Sequence, residues 1–240
     1  MNYIFLVAGR GARLHPLTLK YPKSLYKLDR DTTVLKRMVN LIKKYDVEAN
    51  IIVVTGFMSD IIKEEIRDVI FVYNPFYEVT NSIASLWFAQ SYLEAENVVI
   101  INGDIVMEER IVKQIICKKT EVPKVCIDSS IKNAGDYNVQ VNGNKVLVMS
   151  KDLEQYYGEY AGVTKLDKDS AVKLRYCISE MVEAGMYDQW YENALVQMIF
   201  NEGFQLYYED IRDYKWTEVD CVSDMLLAKQ IHIEFGDRKR

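Results

Sequence analysis

The sequence predicts a three-layer α/β fold, in which helices cover both faces of a mixed, mainly parallel sheet. Two observations lead to this expectation. Up to residue 128, continuous apolar runs, typical of strands buried on both faces, alternate with segments of helical periodicity. After residue 128, a hairpin pattern and longer helices follow. Strands that alternate with helices at this spacing indicate parallel pairing with right-handed crossovers, and the later change makes the sheet mixed.

The first half of the chain supplies five predicted strands and four predicted helices. The strands are the apolar runs at 3–7, 50–56, 69–74, 97–104 and 122–128. Apolar residues recur at helical spacing in 34–45, 59–68, 82–92 and 108–119. Thr32 or Thr33 is placed to cap the first of these helices, because a threonine hydroxyl can accept a free N–H of the first turn.

The second half begins with "YNVQVNGNKVLVMS", which alternates at period two across an Asn-Gly turn and predicts a hairpin. Helices are predicted at 169–184, 190–201 and 222–235, and short strands at 204–210 and 214–220. The chain contains no Gly/Ser/Pro-rich linker and no repeat, so we expect one domain over residues 1–240.

Composition excludes several classes of protein. With 30 Lys+Arg against 35 Asp+Glu, the net charge is −5, which disfavours general nucleic-acid binding. No apolar run approaches the ~20 residues that span a bilayer, and the N-terminus lacks the pattern of a signal peptide. Cys117, Cys126, Cys177 and Cys221 are scattered without CxxC spacing, which argues against disulfides or a zinc site and favours the cytoplasm.

A basic segment follows the first predicted strand of this acidic chain. Between Leu6 and Leu28 there is no acidic residue, and the segment holds five cations: Arg10, Arg13, Lys20, Lys23 and Lys27. Two glycines, Gly9 and Gly11, let the backbone turn tightly and present N–H groups to an anion. The carboxyl end of a parallel strand is where open α/β sheets bind ligands.

The segment therefore predicts a phosphate site in which Arg13 binds two oxygens and Lys23 supplies a point charge. The structural alternative is an ordinary glycine turn with a solvated basic face. "GRGARL" is neither a GxGxxG dinucleotide motif nor a Walker A loop, since it lacks the third glycine and GK[ST].

Two acids, Asp104 and Asp220, are candidates for a metal site. Asp104 follows a buried strand and Gly103, a common way to hold Mg²⁺ beside phosphates. Glu218 and Asp220, in "WTEVDCVSD", share one face of a strand at period two. The alternatives are a strand-end turn for Asp104 and a helix cap for Asp220.

An aromatic group in "MYDQWYENAL" is a candidate site for a cation. Tyr187, Trp190, Tyr191 and Glu192 combine aromatic faces with a carboxylate, which suits an ammonium group. Against this stands the packing alternative, because Trp and Tyr at helical spacing commonly pack in a core.

Several stretches, in the same order, resemble the nucleotidyltransferase family that makes nucleotide-diphospho compounds. They include "LVAGRGARLHPLT" and the following Pro22–Lys23. "NPFYEVTNSIASLWFA", "INGDI", "DYNVQV", "SKDL", "GEYAGVTKL" and "WTEVDCVSD" resemble its phosphocholine-cytidylyltransferase-like branch. Two positions depart from the family pattern: Val7 stands where alanine is usual, and Gln140 lies where a lysine is frequent.

The resemblance implies a Rossmann-like three-layer nucleotide-diphospho-sugar transferase fold, with a nucleotide-binding half at 1–128 and an acceptor-binding half at 129–240. It implies catalytic roles for Arg13 and Lys23, and Mg²⁺ bound by Asp104 and Asp220. The implied nucleotide-binding residues are Leu6, Ala8, Gly9, Gly11, Asn81, Ser82 and Gly103. The implied acceptor-binding residues are Lys151, Glu159, Trp190, Tyr191, Glu192 and Glu218.

The expected reaction transfers CMP from CTP to a small phosphorylated amine or alcohol, phosphocholine- or aminoethylphosphonate-like, and releases pyrophosphate. An acceptor phosphate is already ionised, so no general base is needed in a chain with only two histidines, His15 and His232. The alternatives are a sugar-1-phosphate nucleotidyltransferase using UTP, dTTP or GTP, a glycosyltransferase of similar fold, and a non-catalytic nucleotide sensor. The expected partners are therefore small molecules, without nucleic acid or membrane, and a homodimer is left open.

Overall fold

The computed structural model describes residues 1–11, 21–131 and 137–234, and these form a nine-stranded sheet with helices on both faces. The strands of this sheet lie in the order β3-β2-β1-β4-β9-β6-β10-β8-β7. Their bounds are β1 Asn2–Val7, β2 Asn50–Thr55, β3 Ile70–Tyr73, β4 Asn97–Asn102, β6 Lys124–Asp128, β7 Asn138–Asn142, β8 Lys145–Ser150, β9 Gly158–Asp167 and β10 Tyr207–Asp210. Two further strands, β5 Ile105–Met107 and β11 Trp216–Glu218, pair antiparallel in a separate small sheet.

The nine-stranded sheet is mixed, as predicted, and within the described residues four of its strand pairings are parallel and five antiparallel. Strand β1 pairs parallel with both β2 and β4, β3 pairs parallel with β2, and β10 pairs parallel with β6. The antiparallel pairs all involve β8 or β9. Within the described residues, seven strands of this sheet therefore run in one direction, and β8 and β9 run in the other.

Strand β9 was not among the predicted strands, although it lies in the middle of the sheet between β4 and β6. Its sequence, "GEYAGVTKLD", has no continuous apolar run, and Gly162 has a φ of +68°. The strand is nevertheless largely buried. Burial of Lys165 is tolerated because its ammonium donates to the backbone carbonyls of Ile115 and, at 2.7 Å, Lys118.

Seven helices connect or flank the strands within the described part of the chain. They are α1 Val34–Tyr45, α2 Ser59–Glu65, α3 Ser82–Phe88, α4 Glu109–Ile111, α5 Lys168–Glu183, α6 Glu192–Glu202 and α7 Val222–Glu234. Short 3₁₀ turns cover Lys23–Leu25 and Gln90–Glu94, and α4 continues as a π turn, Val112–Ile116. Thr33 caps α1 by accepting from the Lys36 N–H. The predicted last residue of α7, Phe235, lies outside the described residues.

Alternate residues of β1 point into two cores, one on each face of the sheet. Ile4 belongs to the core that contains residues of α3, α5 and α6. Tyr3 and Phe5 belong to the core that contains residues of α1, α2 and α4. This alternation gives the three layers that the sequence predicts. No helix within the described residues has the length and apolar composition that crossing a bilayer would need.

A third, smaller cluster places α7 against the carboxyl edge of the sheet. Val219, Ala228 and Ile231 pack there with Tyr26 and Val106. The β5–β11 pair joins this cluster to the sheet, since Glu218 of β11 is in register with Ile105 of β5. Helix α7 is thereby held beside Tyr26, in the part of the chain between β1 and α1.

Gly103, directly after β4, is required for the close approach of β4 to β1. A Cβ at this position would lie 2.0 Å from Val7 Cγ1 and 2.8 Å from the Leu6 carbonyl oxygen. We expect Gly103→Ala to lower the free energy of unfolding by about 1–3 kcal/mol, because the packed strand cannot yield freely. Gly9→Ala is the control: a Cβ there meets none of the described residues within 4 Å, and its effect should stay within about 0.5 kcal/mol. Urea unfolding measures both, and equal stabilities of the two variants would contradict a packing requirement for glycine at position 103.

Candidate active site

A cleft of about 210 Å³ opens at the carboxyl ends of β1 and β4. Both strands belong to the parallel part of the sheet, so their ends meet at the edge where α/β folds bind ligands. The predicted site residues that line the cleft are Leu6, Ala8, Gly9, Lys23, Asn81, Ser82, Gly103, Asp104, Trp190, Glu192 and Glu218. Residues predicted from distant stretches of sequence are therefore brought together.

Lys23 lies between the two predicted metal ligands, Asp104 and Asp220. Its ammonium forms an ion pair with Asp104 Oδ2 and, at 2.9 Å, with Asp220 Oδ1, a residue 197 positions away in the chain. The Asp104 carbonyl accepts from the Val219 N–H at 2.9 Å, which fixes the second carboxylate opposite the first. Glu218 completes a group in which one carboxylate oxygen of each acid lies within 4.8 Å of the others.

The charges of this group determine the state of Lys23. Burial lowers the pKa of the lysine, but the carboxylates of Asp104, Asp220 and Glu218 outweigh burial and raise the pKa above its ordinary value. Lys23 is therefore a permanent cation at neutral pH.

The three acids fit a divalent metal ion. Carboxylate oxygens are the ligands that Mg²⁺ prefers, and these three converge within the span that a single ion could bridge. In the described part of the chain, Asp104 Oδ1 is also buried without a hydrogen-bond partner, so this carboxylate has unused capacity for a cation.

The described cations of the basic segment lie in different surroundings. Of its described cations, Lys23 lines the cleft, Lys27 is exposed, and Arg10 pairs with Glu78 over the rings of Phe57 and Tyr77. Arg13 and Lys20 lie outside the described residues. Gly11 has a φ of +61°, the conformation for which glycine is suited.

Asn81 and Ser82 join the cleft to the segment that precedes α6. The Asn81 side chain accepts from the Ser82 N–H at 2.8 Å and caps α3. The Ser82 hydroxyl accepts from the Tyr191 N–H at 2.9 Å, and the Asn81 N–H donates to the Tyr187 carbonyl at 3.0 Å. These bonds hold one wall of the cleft against the predicted aromatic group.

A second, smaller pocket of about 90 Å³ adjoins the cleft. It shares Asn102, Trp190, Glu192 and Glu218 with the cleft and is further lined by Tyr137, Lys151 and Tyr160. The Lys151 ammonium lies 3.9 Å from the centroid of the Trp190 ring. The Tyr137 and Trp190 rings meet edge to face, with centroids 6.1 Å apart. We call this the acceptor pocket, because Lys151, Trp190, Glu192 and Glu218 are residues for which the sequence predicts acceptor binding.

Glu192 supplies the buried carboxyl group of the acceptor pocket. Burial raises the pKa of its carboxyl to about 7, while a backbone hydrogen bond and the Lys151 ammonium limit the rise. A cation entering the pocket would favour the ionised carboxylate, because an opposite charge at close range offsets the loss of solvation.

Two predicted acceptor-binding residues lie elsewhere. Tyr191 is fully buried in the core, and its hydroxyl bonds to those of Tyr160 (2.5 Å) and Thr164 (3.1 Å). Its ring cannot face a ligand, so the packing alternative is correct for this residue. Glu159 lines a separate neighbouring cavity with Glu218 and Asp220.

Sequence reasoning missed Asn102, Tyr137 and Tyr160 as lining residues of the acceptor pocket. A signal was available, because Tyr137 stands in "DYNVQV" and Tyr160 in "GEYAGVTKL", two of the stretches that carry the resemblance. Gln140, where a lysine is frequent, does not line the pocket. Lys151 supplies the cation there instead.

A family model described as nucleotidyl transferase matches residues 2–150, more than half of the chain. The chain belongs to the nucleotidyl transferase family. This transferase is 24% identical over 238 residues to choline-phosphate cytidylyltransferase of Streptococcus pneumoniae, covering 96% of this chain and 98% of that protein. It is 28% identical over 138 residues to CTP:phosphoglutamine cytidylyltransferase of Campylobacter jejuni, covering 54% of this chain and 53% of that protein.

Solved structures confirm the predicted fold of this transferase. CTP:phosphocholine cytidylyltransferase from S. pneumoniae superposes with a TM-score of 0.76 at 22% identity, covering 96% of this chain and 98% of that one. A putative glucose-1-phosphate thymidylyltransferase from Bacillus anthracis superposes with a TM-score of 0.78 at 19% identity, covering 98% and 96%.

The raised pKa of Glu192 predicts a pH-dependent contribution to stability. Because the folded pKa of about 7 exceeds the ordinary 4.5, the folded state keeps a proton that the unfolded state releases. The contribution of the protonated Glu192 carboxyl to the free energy of unfolding is fully present below pH 4.5. This contribution is lost as the pH rises to about 7. Relative to wild type, Glu192→Gln should gain on the order of 3 kcal/mol between these values, then stay level. Urea unfolding across this range measures the difference, and parallel pH profiles would contradict the assignment.

Proposed function

We propose that this nucleotidyl transferase moves CMP from CTP to a small phosphate or phosphonate that carries a cationic amine, and releases pyrophosphate. The observation that carries the proposal is the pair of adjoining pockets. One contains Lys23 beside the three carboxylates, and the other contains an aromatic face beside a buried carboxylate. The two share a wall, as donor and acceptor sites must for direct transfer.

In the nucleotide cleft, the backbone at Ala8, Gly9, Gly11 and Gly103 would approach the triphosphate closely. Gly9 supports this role, because among the described residues no heavy atom outside its chain neighbours lies within 4 Å of where its Cβ would be. Leu6, Asn81 and Ser82 line the same cleft, and the two polar side chains are placed to contact a pyrimidine edge.

Catalysis would consist of positioning and charge neutralisation. Lys23 would neutralise charge on the α-phosphate, and Arg13 would hold the leaving pyrophosphate. Asp104 and Asp220 would bind Mg²⁺, with Glu218 as a third carboxylate nearby. When bound, the ion would stabilise negative charge on the phosphate oxygens.

In the acceptor pocket, the ammonium end of the acceptor would lie against Trp190 and Glu192. A cation over an indole ring and beside a carboxylate is favourable in such a partly enclosed pocket. Lys151, whose ammonium lies 3.9 Å from the Trp190 ring centroid, would move from the ring to the acceptor phosphate, whose oxygen then attacks the α-phosphorus. That oxygen is ionised at neutral pH, so no residue has to remove a proton. Glu159, in the neighbouring cavity, would act beside the acceptor rather than on the ammonium.

The curated relatives favour CTP as the donor. Two of them are choline-phosphate and CTP:phosphoglutamine cytidylyltransferases, and a third, 31% identical over 111 residues, is 2-aminoethylphosphonate cytidylyltransferase of Lancefieldella rimae. A sugar-1-phosphate acceptor with dTTP is the second candidate, because the fold superposes equally well on the thymidylyltransferase. The combination of Trp190 and Glu192 favours the amine.

We further propose that residues 1–240 act as one catalytic domain in the cytoplasm, with the nucleotide bound mainly by residues 1–128 and the acceptor by 129–240. The scattered free cysteines suit a reducing compartment.

A pyrophosphate-release screen tests the proposed function. CTP, UTP, dTTP and GTP are each combined with phosphocholine, 2-aminoethylphosphonate, other amino-phosphates and sugar-1-phosphates. We expect the highest rate with CTP and an amino-phosphate or amino-phosphonate. Faster turnover of a sugar-1-phosphate with UTP or dTTP would replace this assignment by the second candidate. Absence of turnover with every pair would favour a nucleotide sensor.

Asp104→Asn and Asp220→Asn should each lower kcat by about 10²–10³ and shift half-maximal activity to higher Mg²⁺, because each replaces a charged ligand by a neutral one. Asp60→Asn, on the exposed surface of α2, is the control for lost charge and should behave like wild type. The measurement is the initial rate against Mg²⁺ concentration. Metal titrations that superimpose on wild type would rule out the two-aspartate site.

Trp190→Ala should raise the KM of an ammonium-bearing acceptor by about two- to thirty-fold, since it removes a cation–π partner, while the KM of CTP stays unchanged. Tyr187→Ala is the control, because this neighbouring aromatic lines a different, apolar groove. Steady-state kinetics with each substrate varied separates the two constants. A rise in the KM of CTP alone would place Trp190 in the nucleotide site instead.

A further inference from the structure

We infer that Lys23 occupies the metal position of the enzyme at rest, so that the divalent ion binds tightly only together with the nucleotide that draws Lys23 away. This inference rests on the proposed role of Asp104 and Asp220 as metal ligands. It adds to the proposed function that the metal ion binds together with the nucleotide. It also gives Lys23 a second role, as the cation between the carboxylates before the metal ion binds.

The geometry shows that the lysine and the ion need the same oxygens. The Lys23 ammonium pairs with Asp104 Oδ2 and Asp220 Oδ1, which belong to two of the three acids that converge as a ligand set. Mg²⁺ requires near-ideal octahedral ligands at about 2.0–2.1 Å. An ammonium hydrogen-bonded to both carboxylates fills the space between them, and its charge repels a dication that approaches the same oxygens.

The surroundings make this ion pair persistent. The side chains of Asp104 and Asp220 are only 8% and 18% exposed, so neither is well solvated by water when unpaired. Buried carboxylates need a cationic partner. In the absence of a metal ion, Lys23 meets that need within the described part of the chain.

Lys23 can leave without a change of fold. It begins a short 3₁₀ turn, Lys23–Leu25, whose backbone is held by the Leu25 N–H donating to the Pro22 carbonyl at 2.9 Å. The side chain already lines the nucleotide cleft, so rotation of its stem can move the ammonium from the carboxylates to phosphate oxygens. When a triphosphate binds together with its metal ion, the Lys23 ammonium would move to the phosphate oxygens. The metal ion would then bind the carboxylates that Lys23 has left.

The test measures metal binding directly, with Mn²⁺ alone as the probe and without nucleotide. Electron paramagnetic resonance of free Mn²⁺ gives the Kd for wild type, Lys23→Met, Lys23→Gln and Lys23→Arg. Lys23→Met keeps the apolar stem and removes the charge, whereas Lys23→Arg keeps the charge. Lys36→Met, which removes a surface lysine paired with Glu65, is the control for net charge. Circular dichroism tests whether each variant is folded. If Lys23→Met does not fold, Lys23→Gln replaces it as the neutral variant.

We expect the neutral Lys23 variant to bind Mn²⁺ about tenfold or more tightly than wild type, a coupling of ordinary size between two competing ligands. Lys23→Arg and Lys36→Met should bind like wild type. Adding Asp104→Asn to Lys23→Met should abolish the gain, which locates it at these carboxylates.

Equal or weaker Mn²⁺ binding by the neutral variants would overturn the inference. Since the assay contains no CTP and no acceptor, this result would leave the proposed transfer reaction intact. Conversely, if the substrate screen fails while the neutral variants bind Mn²⁺ more tightly, the competition between lysine and metal stands and the choice of substrates is wrong.

Discussion

The ion pair of Lys23 with Asp104 and Asp220 joins the three parts of the molecule on which the site depends. Lys23 comes from the segment after β1, Asp104 from the turn after β4, and Asp220 from the short segment between β11 and α7. The partners are half-buried or buried, so loss of one of them leaves the charges of the others uncompensated in a poorly solvated site. Around this point, β11 contributes Glu218 to the lining of the cleft, and α7 packs against the neighbouring Val219 through Ala228 and Ile231.

The strand that carries the second half of the chain into the sheet also connects the two pockets. β9 pairs with β4, whose end forms the nucleotide cleft, and it supplies Tyr160 to the acceptor pocket. The Tyr160 hydroxyl bonds to Tyr191, whose N–H donates to Ser82 in the cleft. Tyr191 thus supports both sites from behind, which explains why an aromatic residue stands next to Trp190 and Glu192 without facing a ligand.

Composition and periodicity were sufficient to predict the three layers and most of the helices and strands. Strands such as β1 and β4 can be predicted from their apolar runs, because a strand buried on both faces must be apolar along its whole length. β9 was not predicted in this way, because its glycines, Thr164 and Lys165 interrupt the apolar run. Its place in the sheet depends on partners such as the carbonyls that receive Lys165, and these lie about fifty residues away in the chain.

For the site, the residue types were determined by the sequence itself: a basic glycine segment, an acid after a buried strand, and an acidic pair near the end. These patterns are local, and their chemistry follows from charge and backbone freedom. Tertiary structure decided which of the residues meet. It brought Lys23 between two aspartates, added Tyr137 and Tyr160 to the acceptor pocket, and turned Tyr191 into the core. Contacts of this kind depend on which way each side chain faces after packing, and spacing along the chain does not encode that direction.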